Sequence, residues 1–173
     1  ENLDVWRYLD LAKYLHLLKT QKLFFIRADR LAKTDRFEGS YPRGDKERRD
    51  RYFRQFANAT PSLSEENITK MIKDEELSSR NMQKDTFLSC WHANMQESAA
   101  MWRLYGETGK SVAIRTTFGK LQMSLKGMAT IGVVEYIDYE NESMFAGKRY
   151  GATPFLFKRR SFAYEHELRA IVQ

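Results

Sequence analysis

The spacing of apolar residues along the chain predicts strands and helices that interleave irregularly. Short runs rich in β-branched and aromatic residues, bounded by turn-forming ones, are typical of buried strands. Such runs predict strands at 5–8, 23–26, 86–91, 111–114, 131–136 and 168–172. Leu11, Leu15 and Leu18 recur at helical spacing behind Asp10, a good N-cap residue, and predict a helix between the first two strands. Further short helices are predicted at 97–105, ended by Gly106, and at 118–125.

A helical insertion is predicted near 44–80. The spacing of Tyr52, Phe53 and Phe56 suits a helix over 44–58, and the pair Ser62 and Glu65 has the pattern of a capping box that begins a second helix. The two helices would form a hairpin or lid. Polar segments at 34–42 and 138–151 are predicted to be loops.

These elements favour an α+β fold with a mixed, largely antiparallel sheet and flanking helices. At least one connection between strands is too short for the helical crossover that parallel strands need. With 173 residues and 42% hydrophobic residues, the chain has the size and the apolar content of one domain over 1–173. Because it stops at an apparent strand, we expect that the natural chain can continue beyond Gln173.

Composition predicts a cytoplasmic protein without a membrane partner. No run of about 18 apolar residues occurs, and the single cysteine, Cys90, cannot form an intramolecular disulfide. The net charge of +6 and the pI near 9.4 favour an anionic partner, either a small nucleotide or nucleic acid. Basic residues cluster between Arg43 and Arg54, where they form either a solvated helix face or a nucleic-acid patch.

Several common chemistries lack their motifs in this sequence. It has no phosphate-binding P-loop, no dinucleotide fingerprint, no zinc-protease helix and no nucleophile elbow. His16, His92 and His166 stand too far apart to suggest a metal site, so we expect no metal. Cys90 lies close to His92, but a buried, inert thiol is the favoured interpretation.

Glu165 and Glu167 are the sharpest candidates for chemistry. Two carboxylates two residues apart in a strand would project on one face of the sheet, and such pairs concentrate at catalytic sites unless basic residues neutralise them. Arg7 stands on a predicted strand and needs either solvent or an anionic partner. Trp102 and Tyr105 share one helical face and are expected to be core residues.

Six segments in chain order resemble the signature series of a widespread bacterial family of domains of unknown function. The segments are Trp6-Arg7-Tyr8, Lys33-Thr34-Asp35-Arg36-Phe37-Glu38-Gly39, Ser89-Cys90-Trp91-His92, Met101-Trp102-Arg103-Leu104-Tyr105-Gly106, Val134-Glu135-Tyr136 and Tyr164-Glu165-His166-Glu167-Leu168-Arg169. They are spread over nearly the whole length of the chain, from Trp6 to Arg169. The sequence departs from the family pattern at Thr34 and Arg36, where the family usually has Asn and Pro, and at Trp91-His92, where Phe-Ser is commoner.

The resemblance also implies a similarity to the ADP-ribosyltransferase fold, in which a basic residue on the first strand and a glutamate on a late strand hold NAD. It implies that Glu167 is the catalytic carboxylate and that Glu165 orients the acceptor. Arg7, Tyr8 and Ser89 would bind NAD, with Arg7 on the ribose or diphosphate and Ser89 supporting Glu167. From this resemblance we expect Arg7 and Glu167 to lie on neighbouring strands or to face one shared cleft.

Two other functions remain open at this level. In a metal-dependent nuclease, Asp35, Glu38, Glu165 and Glu167 would gather around Mg²⁺. In a non-catalytic module, the basic segment between Arg43 and Arg54 would bind nucleic acid or a protein.

Overall fold

The structure is a computed structural model that describes residues 2–60, 64–106, 110–144 and 152–173. Its strands are β1 (Asp4–Asp10), β2 (Ile26–Arg27), β3 (Phe87–Ala93), β4 (Ser111–Thr117), β5 (Thr130–Val133), β6 (Glu135–Ile137), β7 (Phe157–Arg159) and β8 (Glu167–Val172). Its α-helices are α1 (Leu11–Thr20), α2 (Ala28–Leu31), α3 (Arg43–Asn58), α4 (Glu65–Asp85), α5 (Ala99–Tyr105) and α6 (Phe118–Leu125). Short 3₁₀ helices span Thr153–Leu156 and Arg160–Glu165.

The fold is α+β with a mostly antiparallel sheet, as the sequence predicts. The predicted helical insertion is confirmed as α3 and α4. The chain divides into two compact units. The first unit draws on residues 1–26, 87–134 and 161–172, and the second on residues 27–86, 135–160 and 173.

The first unit is built on strands in the order β4-β1-β3-β8-β5. All four neighbouring pairs along this path are antiparallel. Val5 of β1 lies opposite Ala93 of β3, and His92 of β3 lies opposite Glu167 of β8. The last strand in the chain order, β8, is therefore an interior strand of this sheet.

Strand alternation and this register divide the sheet into two faces. Val5, Trp91, Leu168 and Ala170 lie on one side, which we call the apolar face. They pack with Leu121 and Leu125 of α6 into a hydrophobic core. The residues one position out of phase, Tyr8, His92, Glu167 and Arg169, lie on the opposite side, which we call the polar face.

The first helix follows the predicted pattern at its start but not in its packing. The Asp10 side chain accepts a hydrogen bond from the backbone N–H of Lys13, as expected of an N-cap. However, α1 contains no buried residue, and Leu11, Leu15 and Leu18 are 45%, 55% and 56% exposed. Its leucine stripe is therefore on the surface of the described chain.

The second unit contains α2, α3, α4 and the parallel pair β6 and β7. Its core cluster comprises Ile137, Tyr139, Met144 and Phe157. Gly39 sits in this unit with φ of +65°, and a Cβ at that position would lie 2.3 Å from Cε1 of the buried Phe155. Only glycine therefore fits there, both for its backbone conformation and for the space available.

Several predicted boundaries differ from the structure. The strand predicted at 131–136 is broken at Val134, because β5 pairs with β8 whereas β6 pairs with β7. The run at 23–26 contributes only Ile26 to a strand. Ser64 caps α4 by accepting from the N–H of Asn67, and the predicted cap Ser62 lies outside the described residues. The predicted loop at 138–151 is described only to residue 144, without helix or strand.

No helix in the described part of the chain combines the length and the apolar character that crossing a bilayer requires.

A candidate carboxylate site on the polar face

The secondary structure around Glu165 and Glu167 differs from the regular strand that the sequence pattern predicts. Glu165 is the last residue of a 3₁₀ helix, and β8 begins only at Glu167. Between them His166 adopts a left-handed backbone with φ of +40°. The premise that both glutamates belong to one regular strand was therefore wrong. Both are nevertheless buried, at 3% and 5% exposure.

Glu167 forms an ion pair with Arg169 of the same strand. Residues two apart in a strand share a face, and here Arg169 Nε donates to Glu167 Oε1 at 2.9 Å while Nη2 donates to Oε2 at 3.2 Å. Arg169 is completely buried. A bidentate guanidinium pair fixes both oxygens of the carboxylate in position.

Glu165 connects to the surface through Tyr105 of α5. The Tyr105 hydroxyl donates to Glu165 Oε1 at 2.8 Å, and the Tyr105 side chain is 48% exposed. The pKa of Tyr105 is raised above its usual range, first by burial of the hydroxyl, then by the charge and hydrogen bond of Glu165, and further by the charge of Glu167. Both carboxylates therefore act on one phenol.

His92 ties the same segment to β3. Its Nδ1 lies 2.6 Å from the backbone oxygen of Glu165, which identifies Nδ1 as the protonated nitrogen, since a carbonyl oxygen can only accept. The side-chain amide of Asn94 lies 3.4 Å from Nε2. His92 is 2% exposed, so it positions Glu165 from within the structure.

Aromatic rings line the approach from α5. Tyr8 and Trp102 meet edge to face with centroids 5.0 Å apart, and the Tyr8 hydroxyl accepts from the N–H of Ser98, which also caps α5. Burial raises the pKa of Tyr8. The expectation that Trp102 and Tyr105 are core residues was wrong, because Tyr105 is exposed, Trp102 is only half-buried, and Met101 supplies the buried position of this helix.

Arg7 and Ser89 lie on the other face of the sheet. Arg7 Nη1 donates to Ser89 Oγ at 2.5 Å, and the guanidinium lies over the ring of Trp91, an apolar-face residue, at 5.7 Å. The prediction that Arg7 and Glu167 share a cleft was therefore wrong, and so was the role of Ser89 in supporting Glu167. Strand alternation explains both errors. Tyr8 and His92 lie on the same face as Glu167, and Arg7 and Ser89, each an odd number of residues away from them on the same strand, lie on the opposite face.

The predicted loop acids Asp35 and Glu38 belong to the second unit. Asp35 Oδ1 accepts from Arg159 Nε at 2.8 Å and from the N–H of Phe37. Both acids are buried, at 3% and 2% exposure. Among the residues that the structure describes, no group of three or more His, Cys, Asp or Glu is arranged to hold a metal ion.

The basic helix α3 carries acidic partners along its length. Arg43 pairs with Glu47, Arg48 with Asp45, Arg49 with Asp50 and Arg54 with Glu65. This pattern is typical of a solvated helix laced with ion pairs.

Three residues that bond Glu165 or Glu167 were not predicted from the sequence to belong to the site: Arg169, Tyr105 and His92. Arg169 stands two residues beyond Glu167, so the same alternation that grouped the glutamates could have found it. The position of Tyr105 depends on how α5 packs and had no local signal.

Comparison with protein-family models, with curated proteins and with solved structures finds no match to this chain. Membership of the bacterial family of domains of unknown function therefore stays a prediction from the six sequence segments.

Proposed function

We propose that this chain is an enzyme of the ADP-ribosyltransferase or NAD-glycohydrolase class, with NAD as its substrate and Glu167 and Glu165 as its reacting carboxylates. One observation carries the proposal: two buried glutamates lie beside Tyr105, a residue that is 48% exposed and whose hydroxyl donates to Glu165 and is shifted in pKa by both glutamates. Buried acids gathered around one accessible group are characteristic of catalytic sites.

The two glutamates have different environments and so suit different roles. In the reaction, the bond between the nicotinamide nitrogen and the ribose breaks, and its electron pair leaves with nicotinamide. The positive charge that develops on the ribose is stabilised by the fixed carboxylate of Glu167. Each of its oxygens accepts a hydrogen bond from Arg169, which holds the carboxylate in a fixed position and keeps it charged.

Glu165 then acts on the acceptor. Water or an acceptor hydroxyl attacks the ribosyl cation and gives its proton to the Glu165 carboxylate, while the Tyr105 hydroxyl holds that carboxylate in place. Trp102 and Tyr105 offer ring faces for a nicotinamide or adenine base. Arg7 has no part in this site, because it lies on the apolar face.

The partner and location predicted from the sequence belong to the same proposal. The net charge of +6 favours a small anionic nucleotide such as NAD. A cytoplasmic location fits the single cysteine.

Release of nicotinamide from NAD by the purified protein tests the proposal. The informative variant is Glu165→Gln, since the amide oxygen can still accept from Tyr105 and the fold should persist. We expect its rate to fall by about 100-fold or more, the range for loss of general acid–base catalysis. Glu66→Gln, an exposed glutamate in the second unit, is the matched control and should keep the full rate.

The assay should follow both released nicotinamide and ADP-ribose transferred to added protein or nucleic acid. Absence of both activities in the wild-type protein would contradict the proposal. A Glu165→Gln protein with unchanged rate would contradict the role of Glu165.

A further inference from the structure

A pocket of about 290 Å³ opens on the apolar face of the first unit. Arg7 and Leu9 of β1 form its floor, and Ala12, His16 and Leu17 of α1 form one wall. Residues 22–24 complete the lining, and Arg7 Nη2 donates to the Phe24 carbonyl at 2.8 Å. The pocket lies on the opposite face of the sheet from Glu167, so it is separate from the site proposed above.

Arg7 is the unusual residue in this pocket. Its guanidinium is half-buried and, in the described part of the chain, donates hydrogen bonds to two neutral oxygens, those of Ser89 and Phe24. No carboxylate pairs with it within the described residues. Burial lowers the pKa of Arg7 below its usual range. A guanidinium has five N–H donors, so donors remain for another acceptor, and an anion would offset the cost of burying the charge.

The other charged side chains in the lining are basic, as Arg7 is. Lys13 and Lys22 line the pocket with His16, and none of the described lining residues is an aspartate or glutamate. Lys13 pairs with Asp10 at 2.5 Å, but the Lys13 side chain is 63% exposed, so this pair contributes little and can exchange for a ligand.

The remaining walls are apolar. Aliphatic and aromatic surface around Arg7 comes from Leu9, Leu17, Leu23 and Phe24. Ligand pockets commonly combine such walls with a few convergent polar groups that fix the orientation of the ligand. The lining is therefore mainly apolar, with the Arg7 side chain among the residues that form it.

We propose that this pocket binds a small amphipathic anion, a carboxylate with a short aliphatic or aromatic tail, whose carboxylate pairs with Arg7. The planar guanidinium matches a carboxylate. The tail packs against Leu17, Leu23 and Phe24, and Lys13 and Lys22 attract the anion to the entrance.

Calorimetric titration with octanoate, below its micelle concentration, tests this proposal, with 1-octanol as the uncharged ligand of the same length. We expect octanoate to bind at least about tenfold more tightly than octanol, a difference of about 1.4 kcal/mol. Arg7→Gln should remove this preference.

A second variant leaves the hydrogen bonds of Arg7 intact. Ala12 is an exposed position on the pocket wall, so Ala12→Trp should fill the pocket without disturbing the core and weaken octanoate binding at least about tenfold. Lys19→Trp, on the same helix but outside the lining, is the matched control and should bind normally.

The proposal would be overturned if octanoate did not bind the wild-type protein, if octanol bound with equal affinity, or if Ala12→Trp bound octanoate normally. Equal weakening in Lys19→Trp would also overturn it, since it would place the ligand on the exposed leucines of α1. If Arg7→Gln does not fold, the comparison between Ala12→Trp and Lys19→Trp decides the result.

Discussion

At the scale of single residues, the ion pair with Arg169 fixes the position of the Glu167 carboxylate. A completely buried guanidinium needs a compensating charge, and Glu167 supplies it through two hydrogen bonds. Removal of one partner from a buried pair is far more destabilising than replacement of both, because it leaves a buried charge uncompensated.

This pair gives a prediction about stability. Glu167→Gln should lower the free energy of unfolding by about 3–5 kcal/mol, whereas the double variant Glu167→Gln with Arg169→Met should recover most of that loss. Urea denaturation of both proteins measures the difference. The double variant should still lack NAD cleavage, so stability and activity separate. A Glu167→Gln protein as stable as wild type would show that the pair does not hold Arg169.

Tyr105 gives a prediction about pH. Its pKa in the folded protein is raised above the ordinary value of 10.0, chiefly by burial and by Glu165. Above pH 10 the unfolded chain releases this proton while the folded chain retains it, so stability is fully present below pH 10 and falls as pH rises further. The slope should stay below the limit of about 1.4 kcal/mol per pH unit for one proton, because the ring is half exposed.

Urea denaturation of wild type and Tyr105→Phe between pH 8 and about pH 11 checks this expectation. The phenylalanine variant has no hydroxyl at this position, so its stability should decline less steeply above pH 10. Parallel declines in the two proteins would mean that Tyr105 does not titrate differently on folding.

At the scale of elements, α1 and α5 make opposite use of similar apolar patterns. In α1 the residues at helical spacing are exposed, whereas in α5 Met101 is 6% exposed. Leu15→Lys should therefore change the free energy of unfolding by less than about 0.5 kcal/mol. Met101→Ala should cost about 2–5 kcal/mol. Denaturant titration compares the two, and a large cost at Leu15 would show that the leucine stripe is covered.

The same contrast explains how far the sequence predicts the fold. Local signals located β1, β3, β4, α5 and α6, because their alternation, helical spacing and caps act within a few residues. The break at Val134 and the 3₁₀ helix before β8 were not predictable locally, since they depend on which strands pair.

The candidate site was predictable in part for the same reason. The chemistry of Glu165 and Glu167 as a carboxylate pair is visible in the sequence. The separation of Arg7 from Glu167 required the register, because a one-residue difference in phase decides which face a side chain occupies.

At the scale of the whole molecule, the positive charge gives a prediction about nucleic acid. The net charge of +6 favours contact with polyanions at low salt, but most arginines of α3 already have acidic partners. We expect weak, sequence-independent binding to single-stranded oligonucleotides that disappears near physiological salt. Fluorescence anisotropy measures it, and charge reversal at Arg48, Arg49 and Arg51 should change it little. Tight binding at physiological salt that this reversal abolishes would favour the binding-module function instead.

The interior position of β8 has a consequence for how the protein is made. On the ribosome, β3 and β5 emerge before residues 167–172, which pair with both of them. Until those residues leave the exit tunnel, the edges of β3 and β5 that β8 will occupy lack their hydrogen-bond partner. An unpaired strand edge is a template for aggregation. We therefore expect the nascent chain to be most exposed to aggregation at this stage, and translation that stops before residue 167 to yield an aggregation-prone product.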